Sequence, residues 1–477
     1  MERTTALAHL AELLGGPAGG RRAYEQLAAG LRQLVVDGRL LVGARIPSER
    51  ELAGALGVSR STVTAAYGLL REAGYLTGTR GAGSSVALPA VPVARPDEPL
   101  GADPSLLDLT AAAPPAPAEL PALVTAAVAG LPPLLSGVGL HPLGLQPLRQ
   151  AIADRYTARG QPTTPAQILV TQGALHGWDL LLRAYAAPGA RVAVEQPTYP
   201  AALDAVAAAR ARPLLIGVDP GGWALDPALA AWRRTPPVLA LLTPDHQNPT
   251  GAVLPEEARD RLRRLASDRT LVVTDETFAE LWLDGPPTAR PLATGRGADT
   301  VVTLGSLSKV VWAGLRIGWL RAPEAVVRRV AVARTSQDAA TPALEQLVAL
   351  QVLGQLDALL PGRRAAARER RDALLAALAE QLPAWRPTRP SGGLALWVDL
   401  GAGTSSTALT RAARTHGVRL TPGPRFTVGG THDRFLRLPY TLPVRELREA
   451  VRRLRAASAD LPGPAVGVAV AAPTWTT

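Results

Sequence analysis

One position narrows what this chain can be more than any other. Of its fifty-one Lys and Arg residues, a single one, Lys309, is lysine. Codon bias in a GC-rich genome accounts for arginine replacing lysine on a solvated surface, but not for the lysine that stays. Arginine cannot lose its proton and attack a carbonyl carbon, because its pKa stays above about 12. A Schiff-base lysine is a use that arginine cannot serve. The run Gly305-Ser306-Leu307-Ser308-Lys309 is followed by Gly314-Leu315-Arg316-Ile317-Gly318. Ser306, Ser308 and Arg316, framed by glycine, suit a phosphate. A carbonyl cofactor that bears a phosphate and is held as an imine on lysine is pyridoxal 5'-phosphate (PLP). Ser-x-Ser-Lys is a weak pattern by itself, and the solitary lysine gives it weight.

With 477 residues the chain has room for more than one domain and a large core. It has no cysteine, which excludes disulfides, thiolate metal sites and cysteine nucleophiles and fits a reducing cytoplasm. No apolar run reaches the ~18 residues of a membrane span, and the N-terminus lacks the basic-then-apolar order of a signal peptide. The net charge of +11 invites a nucleic-acid reading, yet residues 1–90 hold ten Arg and seven acidic residues, so the charge is spread along the chain. DNA binding has to be argued from a motif.

Residues 1–20 show no clear pattern. From Arg22 to Gly38, Tyr24, Leu27, Leu31, Leu34 and Val35 recur at helical spacing. Ser48 and Glu51 make a capping box that predicts a second helix, ending near Leu56-Gly57. Ser59 caps a third, with Val63, Tyr67 and Leu70 on one face and a stop before Gly74. Two short helices joined by a Gly-containing turn form a helix-turn-helix. Tyr75–Thr77 and Ser85–Ala87 then flank a glycine-rich turn as a small β-wing. An Arg at the start of the recognition helix, Arg60, can reach guanine bidentately, and Ser and Thr hydroxyls suit phosphate. A three-helix packing module with ordinary surface arginines is the alternative.

Five prolines fall within residues 88–104, the mark of a semi-rigid spacer. Beyond it, short β-branched runs at Ile168–Thr171, Val192–Val194, Val238–Leu242, Leu271–Thr274, Val301–Leu304 and Ile317–Leu320 alternate with helical stretches. That predicts a parallel sheet with helices on both faces and ligands at the carboxyl ends of the strands. The candidate residues fall there. Gly173, Ala174 and Leu175 open a helix whose exposed N–H groups form an anion site. Tyr199 can stack on a ring, or be a core tyrosine. Asn248 can donate to a ring oxygen, or belong to a plain Asn-Pro turn. Asp275 ends a strand, where a buried carboxylate needs a cation such as a pyridinium N–H; a helix cap is the alternative. After Pro323 the chain turns helical, and its arginine run at 363–371 reads as a solvated helix face. Strands follow at 391–399 and 435–440. Arg437, in the second of these, calls for an anion: a carboxylate ligand, or a structural ion pair.

IPSERELAGALGVSRSTV, from Ile46 to Val63, resembles the winged helix-turn-helix of GntR-type repressors, with Ile46 where that pattern has Leu. The spacings over about residues 106–460 resemble fold-type-I aminotransferases of the aspartate aminotransferase class. Joined through the Pro-rich linker, the whole resembles MocR-type transcription regulators. The resemblance implies an α/β fold: a reader at 18–88, a linker at 89–105, a class I/II domain at 106–465 with a smaller C-terminal α+β part, and a tail at 466–477. It implies Arg50, Ser59, Arg60, Ser61 and Thr62 on DNA, with Arg80 and Gly81 in the wing. It implies Lys309 as the Schiff-base lysine, Asp275 on the pyridine nitrogen, Asn248 on the ring oxygen and Tyr199 stacking. Ser306, Ser308, Arg316 and the 173–175 turn would hold the phosphate, and Arg437 a carboxylate. A double-stranded DNA operator, a small amino compound or PLP as effector, and a head-to-tail homodimer complete the expectation.

Two positions depart from the family. Aminotransferases carry Tyr three residues after the pyridine Asp, and MocR-type chains often carry Tyr two after it. Here those positions are Phe278 and Thr277. His141 stands where family members often have a Tyr that reaches the neighbour's phosphate. Cofactor binding is expected to survive, with transamination weakened.

Overall fold

The computed structural model describes residues 2–15, 23–36, 40, 44–79, 83–87, 105–264, 269–286, 289–294 and 300–461. Arg80, Gly81, the linker before residue 105 and the tail after 461 lie outside these.

The N-terminal unit is built on α1 (Glu2–Leu14), α2 (Ala23–Val36), α3 (Glu49–Leu56) and α4 (Arg60–Glu72), with strands β1 (Leu76–Thr79) and β2 (Gly83–Val86). Ser48 starts α3 as expected: its Oγ accepts from Glu51 N, and the Glu51 carboxylate accepts from Ser48 N at 2.9 Å. Such a reciprocal cap satisfies two otherwise orphaned N–H groups and contributes about 1 kcal/mol. Gly57 closes α3 with φ 67°, a conformation that costs glycine little. Ser59 caps α4 by accepting from Thr62 N at 3.1 Å. Leu27, Leu31, Leu34, Val63, Tyr67 and Leu70 bury into one core with Leu10 and Leu14 of α1, a helix that no sequence periodicity announced. β1 and β2 pair antiparallel as the wing.

The second unit opens with β3 (Leu107–Asp108), α5 (Leu120–Val128) and α6 (Gln146–Ala158). Its main sheet uses β4 (Ile168–Thr171), β5 (Arg191–Gln196), β6 (Arg212–Asp219), β7 (Gly222–Ala224), β8 (Leu239–Leu242), β9 (Leu271–Asp275), β10 (Val301–Ser306) and β11 (Gly318–Arg321). The strand order is β4-β11-β10-β9-β8-β5-β6-β7. Helices α7 (Ala174–Tyr185), α8 (Pro200–Ala208), α9 (Leu225–Arg234) and α10 (Glu256–Arg263) connect these strands. All six predicted strands are present, and β4, β8, β10 and β11 are buried along their whole length.

The sheet is not wholly parallel. β11 runs antiparallel to both neighbours, with Ser306 opposite Gly318. A parallel crossover takes a dozen or more residues and usually a helix. The loop 307–317 is shorter than that, so the chain turns straight back past Lys309. β6 and β7 were not foreseen; β6 begins at Arg212-Pro213 with an exposed first turn.

After α11 (Glu324–Arg334), helix α12 (Ala343–Gln381) runs 39 residues through Pro361 and packs on α5, α6 and α14 (Val444–Ala459). One stretch of it is long and apolar enough to cross a membrane. It buries Val348, Ala349, Val352 and Leu356 in the main hydrophobic cluster, as the core helix of a folded domain does. The C-terminal lobe adds β12 (Arg386–Pro387), β13 (Ala395–Asp399), α13 (Ser406–Thr415), β14 (Val418–Arg419), β15 (Thr421–Pro422) and β16 (Phe435–Pro439). Its sheet order is β12-β13-β16-β15.

The arginine run of α12 is only partly a solvated face: Arg368 is exposed, Arg363, Arg364 and Arg370 are half-buried and Arg371 is buried. Arg363 donates to the carbonyls of Val310, Val311 and Pro115, and Arg364 to Glu280 O. Arg368 donates to Leu283 O at 2.8 Å. Arg371, fully buried, donates to Pro390 O and pairs with Asp284 at 2.6 Å. Buried guanidiniums need several acceptors each, and loop carbonyls supply them where carboxylates do not.

Candidate cofactor site and nucleic-acid interface

Strand ends place the chemistry. Lys309 follows β10, Asp275 closes β9, and Asn248 follows β8 by a short loop. Lys309 Nζ donates to Ala112 O at 2.9 Å and lies 5.8 Å from the centre of the Phe278 ring. Burial pushes its pKa down to about 8; Arg437 and Arg316 add to the fall, and Asp275 opposes it. The amine is therefore far more available as a nucleophile near neutral pH than an ordinary lysine.

Asp275 accepts from Thr277 N at 2.9 Å. Burial raises its pKa, against those Thr277 hydrogen bonds and the Lys309 charge. No helix follows it: residues 277–280 form a turn, so the helix-cap alternative fails.

Arg437 on β16 donates to Thr110 O and reaches Asn248 Oδ1 at 3.5 Å, while its buried Nε has no partner. Burial lowers its pKa from the ordinary arginine value, and the guanidinium stays charged at neutral pH. Among the described residues it meets no carboxylate, so the structural ion pair is not found there. Tyr199 is 37% exposed, which sets aside the core-tyrosine alternative. Burial of its hydroxyl raises the Tyr199 pKa, with Arg437, Asp275 and Arg316 near enough to act on it.

The phosphate candidates also converge. Ser308 N donates to Ser306 Oγ at 3.1 Å, and the two hydroxyls lie 3.0 Å apart. Arg316, in a left-handed backbone conformation at φ 51°, donates to Gln172 O at 2.8 Å. Gly173 caps α7, ahead of Ala174 and Leu175, at φ 101°. A Cβ on Gly318 would stand 2.6 Å from Gly173 Cα, so only a bare backbone lets the two turns meet. His141 is not drawn in. Its carbonyl accepts from Gly144 N before α6, and none of the described contacts carries its imidazole to the site.

Sequence reasoning missed Thr110 and Ala112. They act through backbone carbonyls 327 and 197 residues from the groups they cap, and side-chain chemistry leaves no trace of that. It also missed Glu195, which accepts from Trp223 Nε1, Thr243 N and Gln247 Nε2 and whose pKa burial lifts to about 7.

These residues fit PLP. The available amine, a carboxylate that burial disfavours unless a cation meets it, and the cradle of bare backbone at 173 and 318 each match one part of it, while the unpartnered Arg437 Nε is left for an anion beside it. Bound there, PLP supplies an aldehyde for an amine and a ring that takes up electrons.

On the reader, Arg50, Ser59, Arg60 and Ser61 are exposed and Thr62 partly so, at the N-terminal ends of α3 and α4. Ser59 Oγ lies 2.8 Å from Ser61 Oγ and 2.7 Å from Thr62 Oγ1. A helix N-terminus dressed with hydroxyls suits a phosphate, and the first-turn Arg60 a base edge.

The chain matches two families: Aminotransferase class I and II over residues 137–454, and Bacterial regulatory proteins, gntR family, over 23–86. It is 30% identical to the uncharacterized HTH-type transcriptional regulator YdcR of Escherichia coli, across 87% of this chain and 94% of that one. It is 33% identical to 2-aminoadipate transaminase of Thermus thermophilus, across 65% and 79%. Among solved structures it resembles LysN, the alpha-aminoadipate aminotransferase of Thermus thermophilus complexed with N-(5'-phosphopyridoxyl)-L-leucine. The TM-score is 0.67 at 31% identity, covering 74% of this chain and 92% of that one. With a gntR-family reader ahead of an aminotransferase fold, the chain belongs to the aminotransferase class I and II family in its MocR-type form.

Proposed function

We propose that this protein is a DNA-binding transcription regulator that holds PLP on Lys309 and senses a small amino compound, or PLP itself. The observation that carries the reading is one chain joining a gntR-family reader to an aminotransferase class I and II unit whose single lysine is buried at a strand end. Asp275 would meet the pyridine nitrogen, Asn248 the ring oxygen and Tyr199 the ring face. Ser306, Ser308, Arg316 and the 173–175 turn would hold the phosphate, and Arg437 an effector carboxylate.

An effector carboxylate would displace the Thr110 carbonyl from Arg437, and the Lys309 amine, once released from the cofactor, would return to the Ala112 carbonyl it holds in the PLP-free chain. Both changes act on the segment that packs between the sheet and the C-terminal lobe. Arg32 of the reader donates to Gly403 O in that lobe at 3.1 Å, which gives lobe movement a route to the reader. A ligand shifts conformation only through its differential affinity for two states; a coupling of ~1–3 kcal/mol changes DNA affinity about 5- to 150-fold.

A homodimer binding two operator half-sites fits the exposed apolar stretch with Val128, Leu135, Val138 and Leu140. A head-to-tail arrangement in the cytoplasm completes the proposal. A working aminotransferase is the second reading, favoured by the intact Lys309, Asp275 and Arg437. Phe278, with no hydroxyl for the ring oxygen, counts against it.

The test is to add amino compounds singly to the PLP-loaded chain and follow absorbance, promoter-DNA affinity and keto-acid release together. One compound should change the spectrum and the DNA affinity with little keto acid. Rapid turnover with unchanged DNA affinity selects the enzyme instead.

A further inference from the structure

Beside the exposed arginine at the start of α4 sits a carboxylate that the DNA-reading motif does not explain. Glu49 is the first residue of α3, and its side chain is 23% exposed. Its Oε2 accepts from Thr64 Oγ1 at 2.8 Å and lies 3.9 Å from Arg60 Nε. Its Oε1 lies 3.7 Å from Arg71 Nη2. Arg71 Nη2 in turn donates to Ser84 Oγ of β2 at 3.0 Å, and its guanidinium stands 6.0 Å from the Tyr67 ring. One carboxylate thus touches the first, second and last turns of α4, and through Arg71 the wing.

A carboxylate on a DNA-binding face is unfavourable by charge alone, since it faces phosphates. Its position makes sense if it does something for the groups around it. Arg60 is 74% exposed. Left alone, so exposed a side chain samples many rotamers, and freezing one of them on DNA lowers affinity. A partner at Nε fixes the stem while leaving both Nη groups free, and those are the groups that reach guanine O6 and N7. The Arg71–Ser84 bond extends the same support to the wing strand.

We propose that Glu49 is a positioning residue for DNA readout: it aims the Arg60 guanidinium and ties the recognition helix to the wing. This rests on α4 being the recognition helix.

The experiment is in-vitro selection from a randomised duplex library with the full native chain, followed by binding of variants to the selected duplex and to a scrambled one. Arg60→Ala should lose information at particular base pairs, and Glu49→Gln should relax the same ones. Glu49→Gln should weaken the selected duplex about 10-fold and the scrambled duplex less than about 2-fold; in an Arg60→Ala background the Glu49→Gln effect should shrink to under about 2-fold. Glu49→Asp keeps the charge at the helix start but withdraws the carboxylate by one methylene, and should show the same pattern. It guards against a glutamine variant that simply melts.

Equal losses on both duplexes, an undiminished loss in the Arg60→Ala background, or an unchanged motif would overturn the positioning role alone. No motif from the native chain would overturn the DNA-reading assignment, and this proposal with it.

Discussion

Removing the amine at the heart of the site should make the empty protein more stable. Lys309 has its pKa pushed from 10.5 down to about 8, chiefly by burial. In the unfolded chain the amine binds its proton up to the ordinary lysine range; in the folded chain it gives it up near pH 8. The sign follows. Below about pH 8 both states are charged and the folded state bears the full cost. Between about 8 and 10.5 only the unfolded state holds the proton, so stability rises with pH. Above about 10.5 both are neutral and the cost is gone. A shift of 2.5 units corresponds to at most about 3 kcal/mol. The amine keeps the Ala112 carbonyl and some solvent, so about 2 kcal/mol is expected. Lys309→Met, similar in volume and uncharged, should therefore stabilise the PLP-free protein by about 2 kcal/mol at pH 7 and by almost nothing at pH 10.5. Eight of the nine tryptophans lie between residues 178 and 397 and none in the reader, so their fluorescence in a urea series reports the cofactor-binding unit. Midpoints for both proteins from pH 6.5 to 10.5 give the difference. A gain independent of pH would mean that Lys309 is not held in a charge-disfavouring site, and the account of its reactivity would fall with it.

Phe278→Tyr places a hydroxyl beside Lys309 where the family has one; keto-acid formation from a responsive amino compound should rise about 10-fold or more, and an unchanged rate would refute the role given to Phe278. Gly318→Ala drives a Cβ to within 2.6 Å of Gly173 Cα; the turns must part, and cofactor affinity should fall about 10- to 100-fold by PLP titration, with overpacking costing about 1–3 kcal/mol. Arg60→Ala should weaken binding to a selected duplex by about 1–3 kcal/mol and relax one base position. Specific DNA affinity should also fall steeply with added salt, because the reader meets phosphates; a flat salt dependence would contradict that.

Much of the site could be read from residue chemistry. Lys309 stands out by being alone, and Asp275 by ending an apolar strand with a charge. The reader was more legible still, because Ser48, Glu51, Ser59 and Gly57 act within one or two turns of themselves, where spacing determines the contact. What stayed hidden was long-range. Nothing local in Thr110 or Ala112 foretells that their carbonyls take up two cations from distant strands. The arginines of α12 have the spacing of a wet face, and their acceptors lie on loops some twenty to two hundred and fifty residues away. β11 reads as one more parallel strand unless the loop before it is measured against the reach of a crossover. His141 remains apart from the site, as a residue whose partner would lie on a second copy must.

Helix α12 has a mechanical consequence. At 1.5 Å per residue its 39 residues form a rod about 58 Å long. Arg363 fastens its middle to the loop at Val310, next to the lysine, and Arg371 fastens it to Asp284, while its flanks pack on α5 and α14. A rod pinned near its centre is a lever. Pivoting by about 3° moves each end by about 1.5 Å, more than a packed interface absorbs without choosing a new arrangement. A displacement too small to notice around the cofactor thus becomes, at the rim of the molecule, a step of the size that separates one discrete packing from another.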